Sequence, residues 1–182
     1  LLGHGKTPLR KNNLSMKNFT DQLYSLIKSL GINKFNLVGF SIGSLIAIEF
    51  ASKYHNFLKS LTLIATTYKR NEVERQRVID RVNLAKENKS ISDLAMKRWF
   101  TDDYLTKNPN LIKNLKRQLE KQGDDHVNFI KAYSLFANYR EDIKIINSIP
   151  TKTLVITGEM DPGSTPKMSR ELCDDLAKAT YA

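Results

Sequence analysis

Gly39-Phe40-Ser41-Ile42-Gly43 is the stretch whose residue types and spacing point most directly to chemistry. The serine stands between two glycines, after the apolar run Phe35-Asn36-Leu37-Val38 and before a second run that opens with Leu45-Ile46-Ala47-Ile48 and continues to Tyr54. That pattern predicts a strand turning sharply into a helix. Such an elbow puts the serine at the apex of a strained turn. Its hydroxyl is exposed as a nucleophile, and the N–H of Ile42 can help stabilise an oxyanion. Both Gly39 and Gly43 are expected to be needed there, because a Cβ at either would strike the opposite arm of the turn. The five-residue pattern alone is weak, and the flanking strand and helix give it meaning. An ordinary strand-to-helix turn with a buried serine is the alternative.

A serine at its ordinary pKa is a poor nucleophile and needs a neighbouring base, which an acid in turn orients. Asp161 is the candidate acid. It follows the apolar run Thr153–Thr157 within Gly158-Glu159-Met160-Asp161-Pro162, the carboxyl end of a buried strand, where α/β ligand sites form. A plain turn residue before Pro162 is its alternative role, and Glu159 is the second candidate acid. Histidines occur at 4, 55 and 126. His55 falls at the end of the elbow helix remote from Ser41, and His126 follows Asp124-Asp125; both are expected at the surface. No two histidines have metal-ligand spacing and Cys173 is the only cysteine, so neither a metal site nor a cofactor is expected.

The elements that must position these residues alternate as in βαβ units. An amphipathic helix over 16–30 carries Phe19, Leu23, Leu26, Ile27 and Leu30 at helical spacing, capped by Ser15 and ended by Gly31. The strand at 35–39, the elbow, the helix to Tyr54 and a buried strand over 58–65 follow. A parallel sheet results. From about Lys69 to Ile146 only helical patterns occur, with Val78, Val82 and Ala85 on one face, Leu111, Leu115 and Leu119 on another, and Phe129, Ala132, Tyr133 and Phe136 on a third. Breaks fall at Asn108-Pro109 and Gln122-Gly123-Asp124. The chain then re-enters the sheet at 153–157, and a last helix starts at Pro166 with Thr165 as cap. The expected class is therefore α/β: a mostly parallel sheet with flanking helices and a helical segment inserted between two strands. The divisions are 1–68, 69–147 and 148–182.

Composition limits the function classes. The 182 residues are 41% hydrophobic and 26% charged, ordinary for a soluble globular chain. The longest mostly apolar stretch is short for a membrane span and is interrupted by glycine and serine. A net charge of +10 raises the question of a polyanion partner. The basic residues are scattered among acids without a dense run, so the charge reads as a solvated surface. Neither nucleic acid nor membrane is expected as a partner; a small-molecule substrate is. The single cysteine suits a reducing cytoplasm, the expected location. Oligomeric state cannot be read from the sequence.

Four segments together resemble the α/β-hydrolase fold superfamily, with the closest look to 3-oxoadipate enol-lactonase-like ester and lactone hydrolases. They are LGHGKT (Leu2 to Thr7), NLVGFSIGS (Asn36 to Ser44), RWFT (Arg98 to Thr101) and PTKTLVITGEMDPGSTP (Pro150 to Pro166). The resemblance implies Ser41 as nucleophile, the Ile42 N–H in the oxyanion hole, Asp161 as triad acid and the insertion as a cap. Trp99 and Phe136 are the cap aromatics expected to line a substrate pocket, with packing between cap helices as their alternative. His4 matches a turn near the site, not the base. In this fold the triad runs serine, acid, histidine, and no histidine follows Asp161 here. The resemblance places that histidine after Ala182 and the second oxyanion donor before Leu1, so the chain is expected to lack both ends and to be nearly inactive alone. The expected reaction is cleavage of a small ester, lactone or activated acyl bond through an acyl-enzyme. A carbon–carbon bond hydrolase, an acyltransferase and a non-catalytic binding protein are the alternatives.

Overall fold

The computed structural model describes residues 1–4, 7, 9, 14–87, 91–120 and 124–182. Gly5, Lys6 and Pro8 of the glycine-rich opening, and Gln122-Gly123 of the second break, lie outside them. Among the described residues the strands β1 (Phe35–Phe40), β2 (Leu58–Ile64), β3 (Thr153–Ile156) and β4 (Ala179–Tyr181) form one sheet in that order. Every pairing is parallel, with Gly39 beside Leu63, Leu61 beside Thr153 and Thr153 beside Ala179. The chain therefore has the expected α/β architecture. β4 is the element that sequence reading missed: Ala-Thr-Tyr is too short for a period-2 pattern to register.

Helices α1 (Met16–Ser29), α2 (Ile42–Tyr54) and α9 (Pro166–Asp175) belong with the sheet. α1 starts where the Asn18 side chain accepts from both the backbone N–H and the hydroxyl of Ser15, and Gly31 takes a left-handed φ of 65° after it. Met16, Phe19, Thr20 and Ile27 are its buried residues. Leu26 and Leu30, expected on the same face, are exposed instead. The helix leans on α2 through a Tyr24–Tyr54 ring stack 4.3 Å apart. α9 begins as the sequence predicts, with the Thr165 hydroxyl accepting from the Met168 N–H and proline at the first turn. Phe50 and Ala51 of α2, Leu61 and Leu63 of β2, Val155 of β3 and Leu172 of α9 make the centre of the core. The other sheet face is uncovered near β1, where Val38 and Phe40 are 61% and 67% exposed.

Between β2 and β3 the described elements are all helical: α3 (Glu72–Lys86), α4 (Ser92–Trp99), α5 (Asp102–Lys107), α6 (Pro109–Leu119), α7 (Asp124–Asn138) and α8 (Ile143–Asn147). Val78, Val82 and Ala85 of α3 are buried as expected, packed with α7 through Ala137, Tyr133 and Phe136. In α6 the buried residue is Ile112, while Leu111 and Leu119 face solvent, so the predicted leucine face is one residue out of register.

Two arginines tie the ends of this insertion together. Arg70 is 4% exposed; its Nη2 donates to the carbonyls of Phe136 and Tyr139, and its guanidinium lies 4.9 Å from the Phe136 ring centroid. Arg75 donates to the same Tyr139 carbonyl. The last carbonyls of a helix lack intrahelical donors, and a cation there also complements the helix dipole. Burial, reinforced by the nearby Arg75, lowers the Arg70 pKa to about 10, which leaves it charged at neutral pH.

A second tie joins the start of the insertion to α9. The buried Tyr68 donates its hydroxyl to Asp175 Oδ2 at 2.6 Å, and Lys69 Nζ meets the same oxygen at 2.6 Å. Lys69 and then Tyr68 hold the Asp175 carboxyl below its ordinary range. A depressed carboxylate stabilises the fold above the unfolded pKa, and that contribution fades as pH falls through the folded value. Tyr68→Phe should therefore cost about 1–2 kcal/mol at pH 7, the worth of a hydrogen bond to a charged group. The gap from the unaltered protein should shrink at about pH 3. Urea unfolding at the two pH values measures both.

Candidate active site

The elbow is built by backbone geometry. β1 ends at Phe40 and α2 begins at Ile42, leaving Ser41 alone between them with φ 55° and ψ −123°. Side chains rarely adopt a positive φ, and such strain persists only where the surroundings fix it. Here the Ser41 N–H donates to the Ile64 carbonyl at the end of β2. Its own carbonyl accepts from the N–H and the hydroxyl of Ser44, at 2.9 and 2.5 Å. The Ser41 hydroxyl does not cap the helix it precedes. The Ile42 N–H lies in the first turn of α2, where helix N–H groups have no intrahelical acceptor.

Gly39 is the residue that makes the turn possible. A Cβ there would lie 2.5 Å from the Gly43 carbonyl oxygen and 2.7 Å from Ser44 Cα. Gly43 is different, and the expectation for it is corrected: a Cβ at 43 meets nothing within 4 Å, although the carbonyl oxygen of the same residue is what crowds position 39.

Asp161 stands in the loop after β3. Its Oδ1 accepts from the N–H groups of Gly163 and Ser164 at 2.8 and 2.9 Å, and among the described residues Oδ2 makes no hydrogen bond. The turn role and the candidate acid role therefore occupy different oxygens of one carboxylate. Because β1, β2 and β3 are parallel, Ser41 and Asp161 emerge at the same edge of the sheet, two strands apart. At the usual strand spacing the ends of β1 and β3 lie about 10 Å apart. Glu159 is exposed in the same loop.

Phe136 and Trp99 part company. Phe136 packs in one cluster with Ile42, Leu45 and Ile46, so α7 lies against the first turns of the elbow helix. Trp99 ends α4, is 50% exposed and belongs to none of the core clusters. The opening loop also reaches α7: a Cβ on Gly3 would come 3.3 Å from the Asn128 side chain.

The histidines are placed as follows. His4 Nδ1 lies 3.0 Å from the Leu2 carbonyl. His55 starts a single 3-10 turn after α2, half-buried, with Nδ1 buried and unpartnered among the described residues. His126 is not the surface residue expected; its Nε2 is 2.9 Å from the Ala85 carbonyl, linking α7 to α3.

The α/β-hydrolase fold family model matches residues 1–181. The chain belongs to the α/β-hydrolase fold family. The chain is 25% identical over 181 residues to (E)-2-((N-methylformamido)methylene)succinate hydrolase of Acinetobacter baylyi, covering 98% of the chain and 66% of that relative. It is 28% identical over 170 residues to 3-oxoadipate enol-lactonase 1 of the same organism, covering 90% and 60%. Among solved structures, the enol-lactonase of Burkholderia xenovorans LB400 superposes with a TM-score of 0.84 at 23% identity, covering 99% of this chain and 68% of that one. An α/β hydrolase, MGS-M2, from a Medee basin deep-sea metagenome library reaches 0.88 at 20%, covering 99% and 67%. These structures show the shared fold. The chain spans 66% and 60% of the lengths of the two Acinetobacter relatives.

Three substitutions test the elbow. Ser41→Gly should raise stability by about 1–2 kcal/mol, since glycine relieves the positive-φ strain. Gly39→Ala should lower it, whereas Gly43→Ala, whose Cβ meets open space in a helix, should raise it by about 0.4–1 kcal/mol. Denaturant midpoints of the three variants give the order.

Proposed function

We propose that the protein is a serine hydrolase acting on a small ester, lactone or activated acyl substrate through an acyl-enzyme. The observation that carries this reading is Ser41, a non-glycine residue at φ 55° on the joint between β1 and α2. The names of the two Acinetobacter relatives, a succinate-type hydrolase and an enol-lactonase, support the substrate class.

In this proposal Ser41 attacks the carbonyl carbon and an imidazole takes its proton. The Ile42 N–H donates to the oxygen as it becomes negative. Asp161, held through Oδ1 by its own turn, offers Oδ2 to orient that imidazole and to stabilise it as imidazolium. The imidazolium gives that proton to the leaving oxygen as the bond from it to the carbonyl carbon breaks, which forms the acyl-enzyme. Water then attacks the acyl-enzyme, the neutral imidazole takes its proton, and the carboxylic acid leaves as that proton returns to Ser41. None of His4, His55 and His126 is proposed as the base: each sits in the setting described above, and none follows Asp161. The proposal takes the base and a second oxyanion donor from outside residues 1–182. Residues 69–147 act as a cap whose Phe136 borders the first turn of α2, and Trp99 is proposed as a further lining residue. The substrate is a small molecule; no nucleic acid or membrane partner is proposed, and the cytoplasm is the proposed location. Among the described residues no helix is long and apolar enough to cross a membrane.

With the full-length protein and p-nitrophenyl acetate, Ser41→Ala should lower kcat at least about 1,000-fold. It should also abolish labelling by a fluorophosphonate probe. Asp161→Asn should cost about 1,000- to 10,000-fold in kcat with little change in KM. Residues 1–182 alone should be nearly inactive. A full-length protein in which Ser41 stays unlabelled and Ser41→Ala changes nothing defeats the reading.

A further inference from the structure

We infer that Ser164, through the Ala65 carbonyl, is a positioning residue that sets Asp161 at a fixed spacing from Ser41; this rests on the functional reading above. Ser164 is 7% exposed and every polar group it has is engaged. Its hydroxyl donates to the Ala65 carbonyl at 2.9 Å. Its N–H donates to Asp161 Oδ1 at 2.9 Å, and its carbonyl accepts from the Thr157 hydroxyl at 2.5 Å.

Ala65 is itself unusual. It is an alanine at φ 50°, held there because its N–H donates to the Ile156 carbonyl while its own carbonyl receives Ser164. The residue before it, Ile64, pairs with Phe40 and accepts from the Ser41 N–H. The connections form an unbroken series: Ser41 to Ile64, the peptide to Ala65, Ala65 to Ser164, and Ser164 to Asp161. Each link beyond the strands runs through a hydrogen bond to backbone, so the series is insensitive to side-chain packing elsewhere. Loops that carry functional groups are otherwise the mobile part of a fold. A buried, fully satisfied polar network is what fixes one. The two strained residues, Ser41 and Ala65, lie at its two turns.

Removing the Ser164 hydroxyl leaves the Ala65 carbonyl without that donor and frees both the 65 peptide and the 158–165 loop. A displacement of about 1 Å at a catalytic group costs on the order of 100-fold in rate without a matching loss of binding. In the full-length protein with p-nitrophenyl acetate as probe, Ser164→Ala should lower kcat about 10- to 100-fold while KM stays within about twofold. Amide exchange over 158–165 should quicken about tenfold or more, with β1 and α2 unchanged. Thr157→Val, which removes the hydroxyl holding the Ser164 carbonyl, should move both readouts in the same direction by a smaller factor, and it serves if Ser164→Ala does not fold. Unchanged kcat with unchanged exchange over 158–165 overturns the inference, and so does a loss seen in KM alone. If the unaltered protein shows no Ser41-dependent turnover, the functional reading fails, and exchange over 158–165 in the two variants still decides whether the bridge fixes the loop.

Discussion

A Cβ on residue 39 would lie 2.5 Å from the Gly43 carbonyl oxygen, so the close approach of β1 to the first turn of α2 exists only because Gly39 has no side chain. That approach forces Ser41 to a positive φ and lifts it out of both the strand and the helix. The sheet then supplies the restraint, through the Ser41 N–H bonded to the end of β2. Without the glycine the serine would relax into an ordinary strand-to-helix turn. Without the neighbouring strand nothing would hold the strain.

The parallel register extends this local constraint across the molecule. β1, β2 and β3 all finish at one edge, so the elbow, the positive-φ Ala65 and the Asp161 loop converge without any of them being close in sequence. The insertion leaves the sheet after β2 and returns before β3, and is tied on both sides. Arg70 and Arg75 hold the end of α7, and Tyr68 and Lys69 hold α9 through Asp175. Buried cations held by helix carbonyls suit such a joint, since loss of the carbonyls leaves an expensive group unpaired; Nη1 of Arg70 already lacks a partner among the described residues. The long helical segment is thereby brought back to α2, where Ala132 of α7 is buried in one cluster with Leu45 and Ile46 and Phe136 packs against it.

Much of this was legible in the residues. The strand–elbow–helix unit, the parallel strands, the helical character of 69–147, the cap of α9 and the glycine that ends α1 follow from period, propensity and capping, all local properties. The errors have local causes too. Leu26 and Leu30 fit the apolar stripe of α1 by spacing, yet α2 covers only part of that stripe. The register of α6 was misread because Ile112 and Leu111 are adjacent and equally apolar. His126 read as a surface residue because its partner, the Ala85 carbonyl, lies 41 residues away.

The sequence by itself determined the candidates for chemistry: a serine between two glycines, and the acids Asp161 and Glu159 past a later apolar run. It also determined the kind of element carrying each, because hydrophobic period and turn residues act over a few positions. Only the tertiary structure decided that Gly39 and not Gly43 is sterically required, that Phe136 and not Trp99 reaches the elbow helix, and that Ser164 joins Asp161 to Ala65. Each of those depends on distances between segments far apart in the chain, which no local pattern encodes.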